Sequence, residues 1–172
     1  MMLEIRQIGS AAFDEKALIE LLRDAVDSGA SVGFLAPLPT EVAHEYWHSV
    51  RDELDSGRVL FCAYRDGTLV GTVQLAPAGK PNARHRAEVQ KLLVLQACRG
   101  QGIGKNLMRT AEAKALQLGR SLLVLDTRQG DPAETLYIRL GYVKAGVIPD
   151  YARAPSSDGL DPTVIFYKRI GV

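Results

Sequence analysis

The stretch from Ala87 to Leu118, "AEVQKLLVLQACRGQGIGKNLMRTAEAKALQL", constrains the fold more than any other. It opens as a strand whose long apolar end suits the middle of a sheet. It then crosses Gly100, Gly102 and Gly104 and closes as a helix with Leu107, Met108, Ala111, Ala115 and Leu118 on its inner face. A strand that enters a glycine loop and leaves as a helix aims unpaired backbone N–H groups at one spot, where the helix dipole also favours an anion. Arg99 and Lys105 add positive charge there. The formal net charge of the chain is only +1, so an anion site of this kind is local, and nothing in the charge calls for nucleic acid or a membrane. The pattern points to a diphosphate. The competing reading is a tight connection whose glycines only relieve steric strain.

Two well-known phosphate loops nearly fit. The ATP-type loop, G-x-x-x-x-G-K-[ST], would end at Gly104-Lys105, but Arg99 replaces its first glycine and Asn106 its metal-binding hydroxyl. The dinucleotide fingerprint G-x-G-x-x-G starts at Gly100 and Gly102 but meets Lys105 where its third glycine belongs, and it sits past mid-chain. A diphosphate cradle without a metal ligand remains.

The flanking sequence supplies the rest of an α/β domain. "LEIRQI" reads as a first strand, and Leu18, Leu21, Leu22, Ala25 and Val26 form a helical stripe that stops at Gly29. Thr40 is the expected N-cap of a second helix burying Ala43, Tyr46, Trp47, Val50 and Leu54. "RVLFCAYRDGTLVGTVQLA" is a hairpin turning at Asp66-Gly67. "SLLVLDT" is a buried strand, and Asp131, Pro132 and Glu134 predict a capping box for a helix ending at Gly141. Two last strands lie near "YVKAGVI" and "TVIFYKRI". The expectation is one domain over residues 1–172, a mixed sheet of about six or seven strands flanked by about four helices. The two cysteines suggest no disulfide framework, the N-terminus lacks a signal-peptide core, and no apolar run reaches membrane length. The expected location is the cytoplasm.

"HEYWH", His44 to His48, is a literal H-E-x-x-H, the spacing that puts two imidazoles on one helix face for zinc with Glu45 as base. Read that way, the chain is a metallohydrolase. Against it, the apolar stripe of that helix lies elsewhere, the histidines share their face with Arg51 and Asp55, and the extended motif meets Arg51 and Leu54. No metal site is expected.

Arg99-Gly100-Gln101-Gly102-Ile103-Gly104 resembles the [RQ]-x-x-G-x-[GA] loop of the GNAT superfamily of N-acetyltransferases. "KLLVLQACRGQGIG" is similar to that family's signature strand, and "AETLYIRLGY" to its tyrosine-bearing helix. The segments "GASVGF", "KPN", "RAEVQKL", "LDT", "IPDYA" and "LDPT" resemble the tabtoxin-resistance acetyltransferases within it. The resemblance implies a GNAT fold that binds acetyl-coenzyme A. Leu92, Leu93 and Val94 would take the pantetheine along their backbone, with the Val94 N–H polarising the thioester. Arg99, Gly100, Gln101, Gly102, Ile103, Gly104 and Lys105 would hold the pyrophosphate.

It further implies Tyr137 at the sulfur, and Glu88 and Asp126 as candidate bases, with Phe34 and Tyr151 as walls of the acceptor groove. Gly130 stands where many members carry an asparagine that contacts pantetheine. The implied reaction is direct acetyl transfer to a primary amine of a small molecule, an amino-acid-like toxin or antibiotic being one option. The alternatives are a protein or peptide acceptor and a non-catalytic coenzyme A-binding domain. Both a monomer and a homodimer fit.

Overall fold

The computed structural model describes residues 2–171. Seven strands form one sheet in the order β1-β2-β3-β4-β5-β7-β6. They are β1 (Leu3–Ile8), β2 (Val59–Arg65), β3 (Thr68–Pro77), β4 (Arg86–Val94), β5 (Leu122–Arg128), β6 (Val143–Arg153) and β7 (Leu160–Arg169). The helices are α1 (Glu15–Asp27), α2 (Thr40–Leu54), α3 (Ile103–Gln117) and α4 (Pro132–Arg139). This is the mixed α/β architecture and element order expected from the sequence. Neighbouring strands run antiparallel except β4 and β5, which are parallel.

Alternation along the strands divides the core between two faces. Val59, Phe61 and Ala63 of β2, Val73 and Leu75 of β3 and Leu123 and Leu125 of β5 point to α3, whose Ile103, Leu107, Met108 and Ala111 are buried against them; Tyr137 of α4 joins this side. Leu60 and Cys62 of β2 point to the other face, where Leu18, Leu21 and Leu22 of α1 and Ala43, Trp47 and Val50 of α2 cover them. The hairpin turns as predicted, with Asp66 at φ 49° and Gly67 at φ 81°, the paired positive dihedrals of a two-residue turn.

Four local expectations need correction. Leu118, expected on the inner face of α3, is its C-cap and is 41% exposed. Pro39, not Thr40, is the N-cap of α2, and the Thr40 hydroxyl instead accepts from Arg23 Nη2 at 2.6 Å. Tyr46 and Leu54 are only half-buried, because they lie at the edges of the apolar stripe. Asp131 is the N-cap of α4 but makes no side-chain cap, since its carboxylate is taken by Arg128 at 2.8 Å. Glu134 still reaches back, one residue further than a capping box requires, to accept from the Gly130 N–H.

Two features shape the site. Parallel pairing of β4 with β5 lasts only for Arg86, Ala87 and Glu88 against Leu122, Leu123 and Val124, and beyond them the strands part. On its other side β4 pairs with β3 past that point, through Gln90, Leu93 and Val94, with a bulge at Lys91. The bulge is packed tightly from β3: a Cβ on Gly71 would sit 2.8 Å from the Leu93 carbonyl oxygen and 3.1 Å from Leu107 Cδ1. Gly71→Ala is therefore expected to destabilise the fold by about 1–3 kcal/mol through overpacking, read as a lower denaturant midpoint.

Candidate functional site

Where β4 and β5 part, the β5-facing edge of β4 has no strand partner among the described residues from Val89 onward, which leaves backbone groups there, apart from the Val94 carbonyl, for a ligand to pair with. A cleft of about 830 Å³ opens there. Of the residues assigned to a cofactor in the sequence, Leu92, Leu93, Val94, Arg99, Gly100, Gly102, Ile103, Gly104 and Lys105 line it, and Tyr137 lines it from α4. Gln101 does not, because its side chain is turned away to accept from Arg65 and donate to the Ala97 carbonyl.

The loop has the backbone geometry its glycines suggest. Gly100 and Gly102 adopt φ 75° and 81°, and Gly102 is the N-cap of α3 with no side-chain cap. The first intrahelical bond is Asn106 N–H to Gly102 O, so the N–H groups of Ile103, Gly104 and Lys105 are the unpaired donors of the first turn. A Cβ on Gly104 would meet Leu136 Cδ2 at 3.4 Å and Leu92 and Val94 at 3.9 Å, which makes this glycine the floor of the cleft. Unpaired donors above a floor that a side chain would fill fit the diphosphate and pantetheine of coenzyme A.

The Arg99 guanidinium makes two contacts of its own: Nε donates to the Val94 carbonyl at 3.1 Å and Nη2 to Ser28 Oγ at 2.9 Å, tying the end of β4 to the end of α1. Its side chain braces the cleft wall. Arg109 and Arg139 also line the cleft with Lys105. They escaped sequence reasoning, although the four-residue spacing of Lys105 and Arg109 put them on one face of α3. Arg128, also missed, reaches the Gly29 carbonyl at 3.1 Å, Asp131 at 2.8 Å and Asp161 at 3.7 Å.

Tyr137 is buried, 6% exposed, and packs its ring beside Tyr142 and Phe166 at centroid distances of 5.8 and 5.9 Å. Burial, with the negative charges of Asp126 and Asp131, raises its hydroxyl pKa well beyond the usual range. It stays protonated and can donate a hydrogen bond.

Glu88 and Asp126 stand on the opposite face of the sheet from α3. Glu88 pairs with Val124, and Asp126 lies two residues further along β5, so both carboxylates share that face at the fork. Asp126 Oδ2 accepts from Thr163 Oγ1 at 2.8 Å, whereas the Glu88 carboxylate has no hydrogen bond to a described residue. Around them lies a polar network the sequence did not disclose. Arg58 joins Glu53 at 2.6 Å, Gln74 at 2.9 Å and Gln90 at 2.7 Å, and the fully buried Gln74 donates to the Tyr46 hydroxyl at 2.9 Å. Burial pushes that hydroxyl up to about 12. Phe34 packs edge-on against Tyr46 at 5.3 Å, inside this group. Tyr151 is exposed on a bulge of β6 between the residues that pair with Thr163 and Asp161, and it does not line the cleft.

The HEYWH histidines are exposed and separately engaged, His44 Nδ1 by Glu15 at 2.8 Å and His48 Nδ1 by Asp52 at 3.9 Å. Among the described residues no group of three or more His, Cys, Asp or Glu side chains is placed to hold a metal. No helix among them is long and apolar enough to cross a membrane.

Comparison with known proteins shows the family and the fold. The family model described as "Acetyltransferase (GNAT) family" matches residues 18–142. An uncharacterized N-acetyltransferase of Azospirillum brasilense is 30% identical over 114 residues, 65% of this chain and 67% of that protein. The aminoalkylphosphonate N-acetyltransferase of Salmonella typhimurium is 38% identical over 82 residues, 46% of this chain, which spans about half (53%) of that relative. A putative acetyltransferase from Salmonella typhimurium, solved with acetyl-CoA, superposes with a TM-score of 0.80 at 17% identity, over 100% of this chain and 96% of that one.

Proposed function

The chain belongs to the GNAT family of acetyltransferases, and from that premise we propose that it acetylates a primary amine of a small molecule by direct transfer in a ternary complex. Acetyl-CoA is the cofactor of the family and supplies an activated acetyl thioester when bound. The observation that carries the reading is the fork. A free strand edge and an unpaired helix turn line a cleft that reaches from α3 and α4 to Lys91 and the end of α1, and two carboxylates stand on the latter face of the sheet at the fork.

In this reading the β4 edge at Leu92, Leu93 and Val94 receives the pantetheine, with the Val94 N–H turned to the thioester oxygen. The N–H groups of residues 100–105 receive the pyrophosphate, with Lys105, Arg109 and Arg139 balancing its charge. Glu88, with no hydrogen-bond partner among the described residues, takes the proton of the acceptor ammonium, and Asp126, held by Thr163, keeps that ammonium in place. Tyr137 donates a hydrogen bond to the leaving sulfur. Its raised pKa makes full proton transfer to a thiolate, whose conjugate acid lies at ~8.5, uphill, and a hydrogen bond is enough.

Tyr137→Phe is expected to lower kcat roughly ten- to hundredfold, the worth of one hydrogen bond to a charged group, with little change in the binding of acetyl-CoA by calorimetry. An unchanged kcat removes Tyr137 from the chemistry.

The aminoalkylphosphonate relative supports a small acceptor. The likeness to tabtoxin-resistance acetyltransferases adds amino-acid-like toxins and a role in toxin or antibiotic resistance. The deciding experiment is a thiol-release screen with acetyl-CoA over small amines, amino acids, amino-acid-like toxins and peptides. Release with small amines supports the reading, release with peptides alone replaces it by peptide acetylation, and binding of acetyl-CoA without release makes the chain a coenzyme A-binding domain.

A further inference from the structure

We propose that Lys91 selects acceptors that carry an anionic group, so that the substrate is a zwitterion whose ammonium meets Glu88 and Asp126 while its carboxylate, or an equivalent anion, meets Lys91 Nζ. This deepens the small-amine reading above and rests on it.

The geometry begins with the bulge. Ala87 and Val89 of β4 face α3, and unbroken alternation would send the Lys91 side chain into that core. Instead the step from Gln90 to Leu93 spans three residues while its partner on β3 spans two, from Gln74 to Thr72, and Lys91 takes φ 49°. A non-glycine residue held in that region costs on the order of 1–3 kcal/mol, and such strain concentrates at sites that use it. The result is that Lys91 is turned to the face of Glu88 and Asp126. Its Nζ stands over the Tyr46 ring, 5.6 Å from the centroid, and a Cβ on Gly33 would lie 3.8 Å from it.

The ammonium is unbalanced where it sits. It makes no hydrogen bond or ion pair with another described residue; only the Lys91 carbonyl is engaged, by Thr72 at 3.4 Å. Its neighbours account for the charge. Arg58 is already paired with Glu53, and Glu88 and Asp126 lie near enough to favour the charged lysine without forming an ion pair with it. Burial outweighs them and lowers the lysine pKa. A half-buried cation of this kind is stabilised by an incoming anion more than an exposed one would be. This face of the sheet at the fork therefore presents one unpaired cation, at the lining of the cleft, and two carboxylates near it, a charge pattern complementary to an amino acid. Gly33 leaves the space over Lys91 free of a side chain.

The test is a set of matched acceptors: amino acids, their carboxamides and the amines lacking the acid group, compared by kcat/KM for thiol release. In the unmodified protein the acid is expected to exceed its amide by at least about tenfold. Lys91→Met should bring that ratio near one, and Lys91→Arg should keep part of it. A ratio at or below one in the unmodified protein, or a ratio that survives in Lys91→Met, overturns the proposal. A second measurement needs no variant: a carboxylic acid lacking the amine should compete with the acceptor, and its amide should compete far less. Equal inhibition by the two also overturns it. Thiol release with peptides but with no small amine of the panel is a separate result, in which the small-molecule reading itself falls.

Discussion

Glu88→Gln should reduce kcat by roughly 10²–10⁴-fold, the usual worth of a positioned general base. The substitution keeps the size and the strand propensity of the side chain but removes its ability to take a proton. Glu88 lies at the last paired position of β4 before the fork, with no hydrogen-bond partner among the described residues to compete for its carboxylate. The sign of the pH effect follows. The active form of a base is its deprotonated form, so the rate rises with pH through the titration of the base and then levels. In Glu88→Gln that rise should disappear or move to the titration of another group, while Tyr137, kept protonated by burial, contributes no alkaline fall in the ordinary range. Asp126→Asn should cost less in kcat and more in KM for the acceptor, because Thr163 already holds one of its oxygens. A large kcat loss in Asp126→Asn with a small one in Glu88→Gln exchanges the two roles.

Gly104→Val should weaken binding of acetyl-CoA by about a hundredfold or more while leaving the protein folded. Position 104 lies in the first turn of α3, where a β-branched residue is tolerated by the helix itself. Its side chain, however, would meet Leu136, Leu92 and Val94 across the floor of the cleft. Lifting a diphosphate off the first-turn donors forfeits hydrogen bonds to a charged group, each worth about 1.5–3 kcal/mol, so the loss of two accounts for the expected factor. Calorimetry with acetyl-CoA and a thermal melt without ligand separate this from misfolding. Undiminished affinity in a folded Gly104→Val would mean that the diphosphate does not sit on this turn.

Much of the molecule was legible in the sequence because its signals are local. Hydrophobic period placed the strands and helices, Asp66-Gly67 placed a turn, and the glycines between Arg99 and Lys105 placed the loop that opens α3. What escaped depends on partners distant in the chain. Nothing local shows that the Arg99 guanidinium also holds the Val94 carbonyl and the Ser28 hydroxyl. Asp131 looked like a helix cap until Arg128 claimed it. Gln74 reads as an ordinary polar residue of a strand, yet it is fully buried because Arg58 and Tyr46, 16 and 28 residues away, satisfy its amide. Lys91 is the sharpest case. Strand period assigns it to one face of the sheet, and only the register slip against β3 moves it to the other.

The short pairing of β4 with β5 has a mechanical meaning as well. The sheet is stitched at one end of this seam by three residue pairs and left open at the other, and Arg128 spans toward the open end by holding the Gly29 carbonyl, Asp131 and Asp161 together. The two halves of the sheet thus behave like the jaws of a clamp with a single rivet and one strap. A molecule lying along the bare edge of β4, as proposed for acetyl-CoA, would add rungs to the ladder, so its binding would raise the stability of the fold.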